Sequence, residues 1–289
     1  MEEGLIVEKA YAKINLGLKV LKRRKDGFHE ICGIVQSIDL ADSLHFRKSD
    51  ENRLTCTDPR LSVAADNLVV QAMKLFNAHL QVTPRPLHLH LEKIIPSGAG
   101  LGGGSADAAA ALRGLNRLYR LPFSMDALRE MAACLGSDVP FLVDGGTALM
   151  RGRGEIVEPL RWKGETTYLL VYPGVEVSTA WAYRQVKAGL TLESPYLKFI
   201  ASLSGGCVDH ESLVLLLEND FQPVVERAYP IVAELSSQLR VAGALACSIS
   251  GSGSTVYGIF DDRTVACQAR QEIQGKGFQT FLCRPFCPQ

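Results

Sequence analysis

"PSGAGLGGGSADAAAAL", residues 96–112, decides how this chain is read: five glycines fall within the seven positions 98–104, and an alanine run follows at once. Glycine lets a backbone take left-handed dihedrals and lets another group come close to its amides. The alanines, continued by "LRGLNRLY", make a helix with a flat face that can pack tightly. Upstream, "LHLHLEKII" alternates apolar and polar residues, the period of a strand. A strand, a glycine loop and a helix N-terminus together make an anion site, because unpaired N–H groups and the positive end of the helix dipole converge there. Phosphate is the expected guest, and Ser105 stands in the first turn of the helix.

Glycines 98, 100 and 103 also fit G-x-G-x-x-G. A dinucleotide fold then requires a second parallel strand ending in an acid about 20 residues on. Here that distance falls in another helical stretch, around Asp126 and Glu130, so the unit reads β-α-α and an oxidoreductase is disfavoured. No G-x-x-x-x-G-K-[ST] occurs, and the signatures of protein kinases are missing. The 289 residues, 47% hydrophobic, suffice for one large or two medium domains. Basic and acidic residues number 31 each, so nothing suggests a general attraction to nucleic acid or to an anionic membrane, and a non-catalytic RNA-binding protein is disfavoured. No apolar run approaches the roughly 18 residues of a membrane span, and the acidic start is unlike a signal peptide. A cytoplasmic protein is expected. The 8 cysteines show no CxxC and read as buried reduced thiols, and the pair His88 and His90 reads as a solvated strand face, not a metal site.

Residues 10–20, "AYAKINLGLKV", alternate as a half-buried strand with Lys13 and Asn15 on its polar face, and the turn "KRRKDG" leads into "FHEICGIVQSIDL" as an antiparallel hairpin. A helix is expected over 67–80 with Asp66 as cap, and another from Ser124 or Asp126 to near Gly136. Past residue 160 come the strand "TTYLLVYPG", a helix capped by Ser178, a long helical stretch 211–239, the strands "ALACSIS" and "TVYGIF" around "GSGS", a helix over 263–275 and the strand "FQTFLC". This order suggests a second, α+β sandwich domain, with the boundary near 160.

The loop "IPSGAGLGGGSADAA" resembles the phosphate loop of the GHMP kinases, the group that includes galactokinase, homoserine kinase and mevalonate kinase. "SISGSGSTVYGIF" is similar to that group's C-terminal glycine motif, and "GSDVPFLVDGGTALMRGRGE" and "PGVEVSTAWAY" extend the likeness across nearly the whole chain. "AYAKINLGLKVLKRRKDGFHE" resembles the N-terminal motif of those members that act on diphosphocytidyl-methylerythritol. The resemblance implies an α/β (α+β) fold of two domains. Residues 1–160 would be an ATP-binding domain like domain 2 of ribosomal protein S5, and 161–289 a ferredoxin-like domain, with the active site between them. It implies a small-molecule kinase that uses ATP and Mg2+ to phosphorylate a 2-hydroxyl in the non-mevalonate isoprenoid route. A GHMP kinase acting on a sugar or on mevalonate is the alternative.

Carried over residue by residue, the likeness implies that Pro96, Ser97, Gly98, Ala99, Gly100, Leu101, Gly102, Gly103, Gly104, Ser105 and Ala106 cradle the ATP phosphates. The Ser105 hydroxyl would reach a phosphate or the magnesium. Asp138, in "GSDVP", matches the catalytic aspartate and would accept the hydroxyl proton, and Lys13 would donate to the reacting oxygens. Asn15 lies on the same strand face as Lys13 and would serve the substrate. Phe28 and His29 occupy the positions that hold the cytosine, and Phe28 stands where the group usually has Tyr, keeping the ring but losing its hydroxyl. Asn67, Lys93 and Asp107 match the adenine side, Asp107 replacing a residue that is often Asn.

Overall fold

The computed structural model of the protein describes residues 6–186, 194–203 and 206–287. Packing divides the chain into two compact units: Met1–Ala12, Leu40–Ile95 and Gly102–Asp144 form one, and Lys13–Asp39, Pro96–Leu101 and Gly145–Gln289 the other. The first two strands, β1 (Ile6–Arg23) and β2 (His29–Lys48), pair with each other and contribute residues to both units. The turn joining them closes with Arg24 N–H donating to Phe28 O, as the hairpin reading expected.

The first unit adds β3 (Arg53–Cys56), α1 (Leu68–His79), β4 (Leu87–Glu92), α2 (Gly103–Leu118), α3 (Met125–Leu135) and α4 (Val139–Asp144). β4 lies antiparallel to β2 and parallel to β3, in the register Leu44 to Leu91 and Phe46 to Leu89. Leu44, Phe46, Leu54, Leu87, Leu89 and Leu91 are buried, and so are Val69, Met73 and Phe76 of α1 and Ala106, Ala108, Ala109, Ala110 and Ala111 of α2. Burying each large apolar side chain is worth about 1.5–3 kcal/mol, while the alanines let α2 sit close to its neighbours α1 and α4. The cap of α1 is Asn67, whose side chain accepts from Val69 N–H, and not Asp66; with two capping residues side by side, the one nearer the helix takes the first free amide. Ser124 caps α3, which ends at Gly136 as expected.

The second unit continues with β5 (Thr147–Gly152), β6 (Ile156–Lys163), β7 (Thr167–Tyr172), α5 (Thr179–Gln185), α6 (Pro195–Ser202), β8 (Cys207–Asp209), α7 (His210–Leu216), α8 (Gln222–Ala228), α9 (Pro230–Val241), β9 (Ala246–Ile249), β10 (Val256–Phe260), α10 (Arg263–Gln274) and β11 (Gln279–Cys283). β5 pairs with residues 31–36 of β2 and with β6, and β6 pairs with β8. The last four long strands form an antiparallel sheet in the order β11-β7-β10-β9, with α9 and α10 packed on it. With β7 as the first strand, this is the expected ferredoxin-like order. The long helical stretch expected over 211–239 is divided among α7, α8 and α9, because Pro223 and Pro230 cannot continue a helix and instead open α8 and α9.

Two surface readings also change. All 8 cysteines are free, but only Cys32, Cys247 and Cys283 are buried, and Cys134, Cys207 and Cys287 are exposed. His88 and His90 are half-buried rather than solvated, since parallel β3 sets the Thr55 hydroxyl 2.8 Å from a ring nitrogen of each.

Candidate functional site

The glycine segment is held by its carbonyls. In the second unit Leu101 O accepts from Lys13 N–H at 3.0 Å, Ala99 O from Thr255 N–H at 3.2 Å, and Gly100 O from the Ser250 hydroxyl at 2.8 Å. Gly100 has φ +80°, and a β-carbon there would lie 2.1 Å from Ser250 O, so no other residue fits the approach. Among the described residues, no hydrogen bond uses the N–H of any residue from Ser97 to Ser105. The bonds that fix the backbone leave its donors free, which is the chemistry of an anion cradle.

In the first unit the start of α2 has the same character. Its N-cap, Gly102, is left-handed at φ 70° and offers no side-chain bond, whereas α1 and α3 are capped by Asn67 and Ser124. The first intrahelical bond in this turn runs from Ala106 N–H to Gly102 O. Gly103, Gly104 and Ser105 are therefore open donors at the positive end of a 16-residue helix.

Lys13 and Asn15 lie together in the second unit, the Lys13 ammonium donating to Asn15 Oδ1 at 2.7 Å. Their strand face is not solvated: Lys13 is 5% exposed and Asn15 4%. The backbone of Gly251 in the "GSGS" turn covers them, a β-carbon there falling 3.4 Å from Lys13 Nζ and 3.3 Å from Asn15 Oδ1. Asn219 holds that turn by donating to Ile249 O and Gly251 O, both at 2.9 Å, and the Tyr257 hydroxyl donates to Asn15 O. Burying an ammonium is costly without partners of this kind.

Phe28, at the end of the turn between β1 and β2, and His29, the first residue of β2, also lie in the second unit. His29 stacks on Tyr183 with ring centroids 5.1 Å apart and 14° between planes, and Tyr183 meets Phe221 edge-on at 4.8 Å. Burial and the nearby Arg23 charge lower the His29 pKa, so the ring is neutral at pH 7 and carries one donor and one acceptor. Phe28 is 51% exposed, and the Arg153 guanidinium lies 5.1 Å from its ring centroid.

Asn67, Lys93, Asp107 and Asp138 belong to the first unit. Lys93 donates to Asp107 Oδ2 at 2.8 Å and to Asp42 Oδ2 at 2.5 Å, all three side chains being nearly inaccessible. Asp107 Oδ1 is buried without a hydrogen-bond partner. Asn67, as the α1 cap, also donates to Ser62 O. Asp138 is half-buried in the turn before α4, where its carbonyl accepts from Leu142 N–H.

Asp42, Asn219, Tyr183, Phe221 and Tyr257 escaped the sequence reading. Only the "GSGS" turn that Asn219 supports had a visible signal.

Two family models match the chain: the GHMP kinases N terminal domain over residues 67–146, and the GHMP kinases C terminal domain over residues 206–278. A protein of Thermoanaerobacter pseudethanolicus named 4-diphosphocytidyl-2-C-methyl-D-erythritol kinase is 40% identical over 92% of this chain and 91% of its own length. One of the same name from a Synechococcus species is 42% identical over 96% and 93%. The crystal structure of a 4-(cytidine 5'-diphospho)-2C-methyl-D-erythritol kinase superposes with a TM-score of 0.75 at 31% identity, covering 96% of this chain and 98% of that one. With the expected loop, the ferredoxin-like sheet and these likenesses in agreement, the chain belongs to the GHMP kinases, among the 4-diphosphocytidyl-2-C-methyl-D-erythritol kinases.

Proposed function

We propose that this small-molecule kinase transfers the γ-phosphoryl group of ATP to the 2-hydroxyl of 4-diphosphocytidyl-2-C-methyl-D-erythritol, in the non-mevalonate route to isoprenoid precursors. The observation that carries the reading is the unspent row of N–H groups from Ser97 to Ser105, in a chain 40–42% identical, over 92–96% of its length, to kinases named for that substrate. In the reaction the acceptor oxygen bonds to the γ-phosphorus, the bond to the β-phosphate oxygen breaks, ADP leaves, and the hydroxyl proton must be taken up.

Catalysis of such a step is mostly positioning and charge neutralisation. The loop amides and the start of α2 hold the phosphates. Asp138 accepts the proton. The Lys13 ammonium, oriented by Asn15, offsets charge on the transferring group. His29 reads the cytosine edge, with Phe28 and the stacked Tyr183 as its aromatic surroundings. Asn67, Lys93 and Asp107 line the adenine side.

Among the described residues no cluster of three or more His, Cys, Asp or Glu could hold a metal ion; the Ser105 hydroxyl, in the first turn of α2, would be a donor to a magnesium ion carried by the nucleotide. Bound there, magnesium would neutralise phosphate charge.

Residues 1–160 serve as the nucleotide-binding domain and 161–289 as the C-terminal domain, a division supported by family matches on either side of residue 160. No helix of the described residues is long and apolar enough to cross a membrane. Eight free thiols and balanced charge support a cytoplasmic enzyme whose partner is a small molecule, not nucleic acid or membrane. The test is a coupled ADP-release assay with ATP and the cytidylyl alcohol, against mevalonate and galactose. Turnover confined to mevalonate or galactose would overturn the substrate assignment while leaving a GHMP kinase.

A further inference from the structure

Asp42 touches three consecutive residues at the exit of β4. Its Oδ1 accepts from Ile94 N–H at 2.5 Å and from Ile95 N–H at 2.9 Å, and its Oδ2 takes the Lys93 ammonium. Ile95 is the last residue before Pro96, where the glycine loop begins. The same ammonium donates to Asp107 Oδ2, in the second turn of α2 just beyond the loop. It also lies against the first residue of that helix, 3.3 Å from where a β-carbon on Gly103 would be. One carboxylate thus holds the loop's entry directly and its exit through Lys93.

Packing alone does not explain the arrangement. Asp42 is 0% exposed and faces the core beside Leu44, where an apolar residue would fill the space without desolvating a charge. Two buried carboxylates sharing one ammonium are an expensive way to gain stability, and a directional way to fix geometry. A glycine-rich segment has the most conformational freedom to lose, so a device that sets both its ends lowers the entropy cost of organising its amides around phosphate.

We propose that Asp42 is a positioning residue for ATP: it touches no substrate, and presets the two ends of the phosphate loop before the nucleotide arrives. This rests on the kinase reading above. Asp42→Asn keeps the size and one acceptor oxygen but removes the charge that anchors Lys93; Asp42→Leu removes the amide acceptor as well. Calorimetry with a non-hydrolysable ATP analogue should show affinity falling by about 10-fold in Asp42→Asn and about 100-fold in Asp42→Leu. Affinity for the cytidylyl alcohol, titrated separately, should stay within about twofold, whereas a general loss of folding would lower the competent fraction for both ligands alike.

Hydrogen exchange on the wild-type protein supplies a reading that needs no variant: the Ile94 and Ile95 amides should be protected before nucleotide is added. Unchanged ATP affinity in folded Asp42→Asn, equal weakening of both ligands, or free exchange at Ile94 and Ile95 would each overturn the inference. A wild-type chain that binds neither ligand would instead refute the kinase reading itself.

Discussion

Replacing Gly104 with alanine separates what the fold needs from what the ligand needs. Gly104 is the second residue of α2, it is exposed, and the nearest atom to an added β-carbon would be Leu68 Cδ1 at 3.8 Å, an ordinary contact. Nothing in the folded chain asks for glycine there. Alanine in a helix is favoured over glycine by about 0.5–1 kcal/mol, which in a chain of this size raises Tm by roughly 1–2 °C. If the open amides receive phosphate, the same methyl group stands where a phosphate oxygen must come. Losing one charge-assisted bond costs about 1.5–3 kcal/mol, or roughly 10- to 150-fold in ATP affinity.

The two effects have opposite signs, which makes the substitution more telling than Gly100→Ala. There a β-carbon would meet Ser250 O at 2.1 Å and Gly253 O at 2.8 Å, so stability and binding fall together and neither explains the other. The assay is thermal unfolding without ligand, followed by calorimetry with a non-hydrolysable ATP analogue. A Gly104→Ala protein that is stabilised and binds ATP normally refutes the placement of phosphate at the start of α2. One that melts earlier refutes the claim that the fold leaves that space open.

Asp138→Asn keeps shape but removes the basic oxygen, so kcat should fall by about 10²–10⁴ with both substrate affinities nearly unchanged; near-normal turnover in steady-state assays removes the general-base role. His29→Ala should raise KM for the cytidylyl alcohol by about 10-fold and spare ATP binding, since the contact is remote from the transferred group; an unaltered KM makes His29 structural. Burial, reinforced by the Asp42 charge and opposed by the Lys93 ammonium, pushes the Asp107 carboxyl up to about 7. The folded chain then holds this proton more tightly than the unfolded one, so its contribution to stability declines as pH rises from about 4 to about 7 and is level above that. Asp107→Asn should remove this part of the slope in urea unfolding at stepped pH, and identical slopes in both proteins would contradict it.

What could be read from sequence was what repeats along the chain. The alternation of "LHLHLE" and the caps Ser124 and Ser178 survive unchanged, because period and capping are local properties. β5 escaped notice since Thr147, Ala148, Leu149 and Met150 are all buried, leaving no polar alternation to see. Alternation also misjudged β1: it separates Lys13 and Asn15 from Ile14 and Leu16, but it cannot say that the polar face is covered as well. Asp42 lay further out of reach. It is 51 residues from Lys93, and only the antiparallel register that sets Ser43 opposite Glu92 brings the two side by side.

The division of labour in the loop answers why so bare a backbone is not a weak point. Glycines permit the path but give it no reason to persist, since each carries more conformational freedom than any other residue. Persistence must come from outside the segment, and a backbone can be held through its donors or its acceptors. Here Lys13, Thr255 and Ser250 all grip carbonyls, and Asp42 accepts from amides only up to Ile95, one residue before the segment starts. Had the fold tied down the N–H groups instead, the loop would be as ordered and chemically spent. The choice of acceptors leaves a fixed row of donors open to an anion, and it explains why the pins come from β1, β2 and the "GSGS" turn, distant in sequence, while the loop itself contributes almost no side chains.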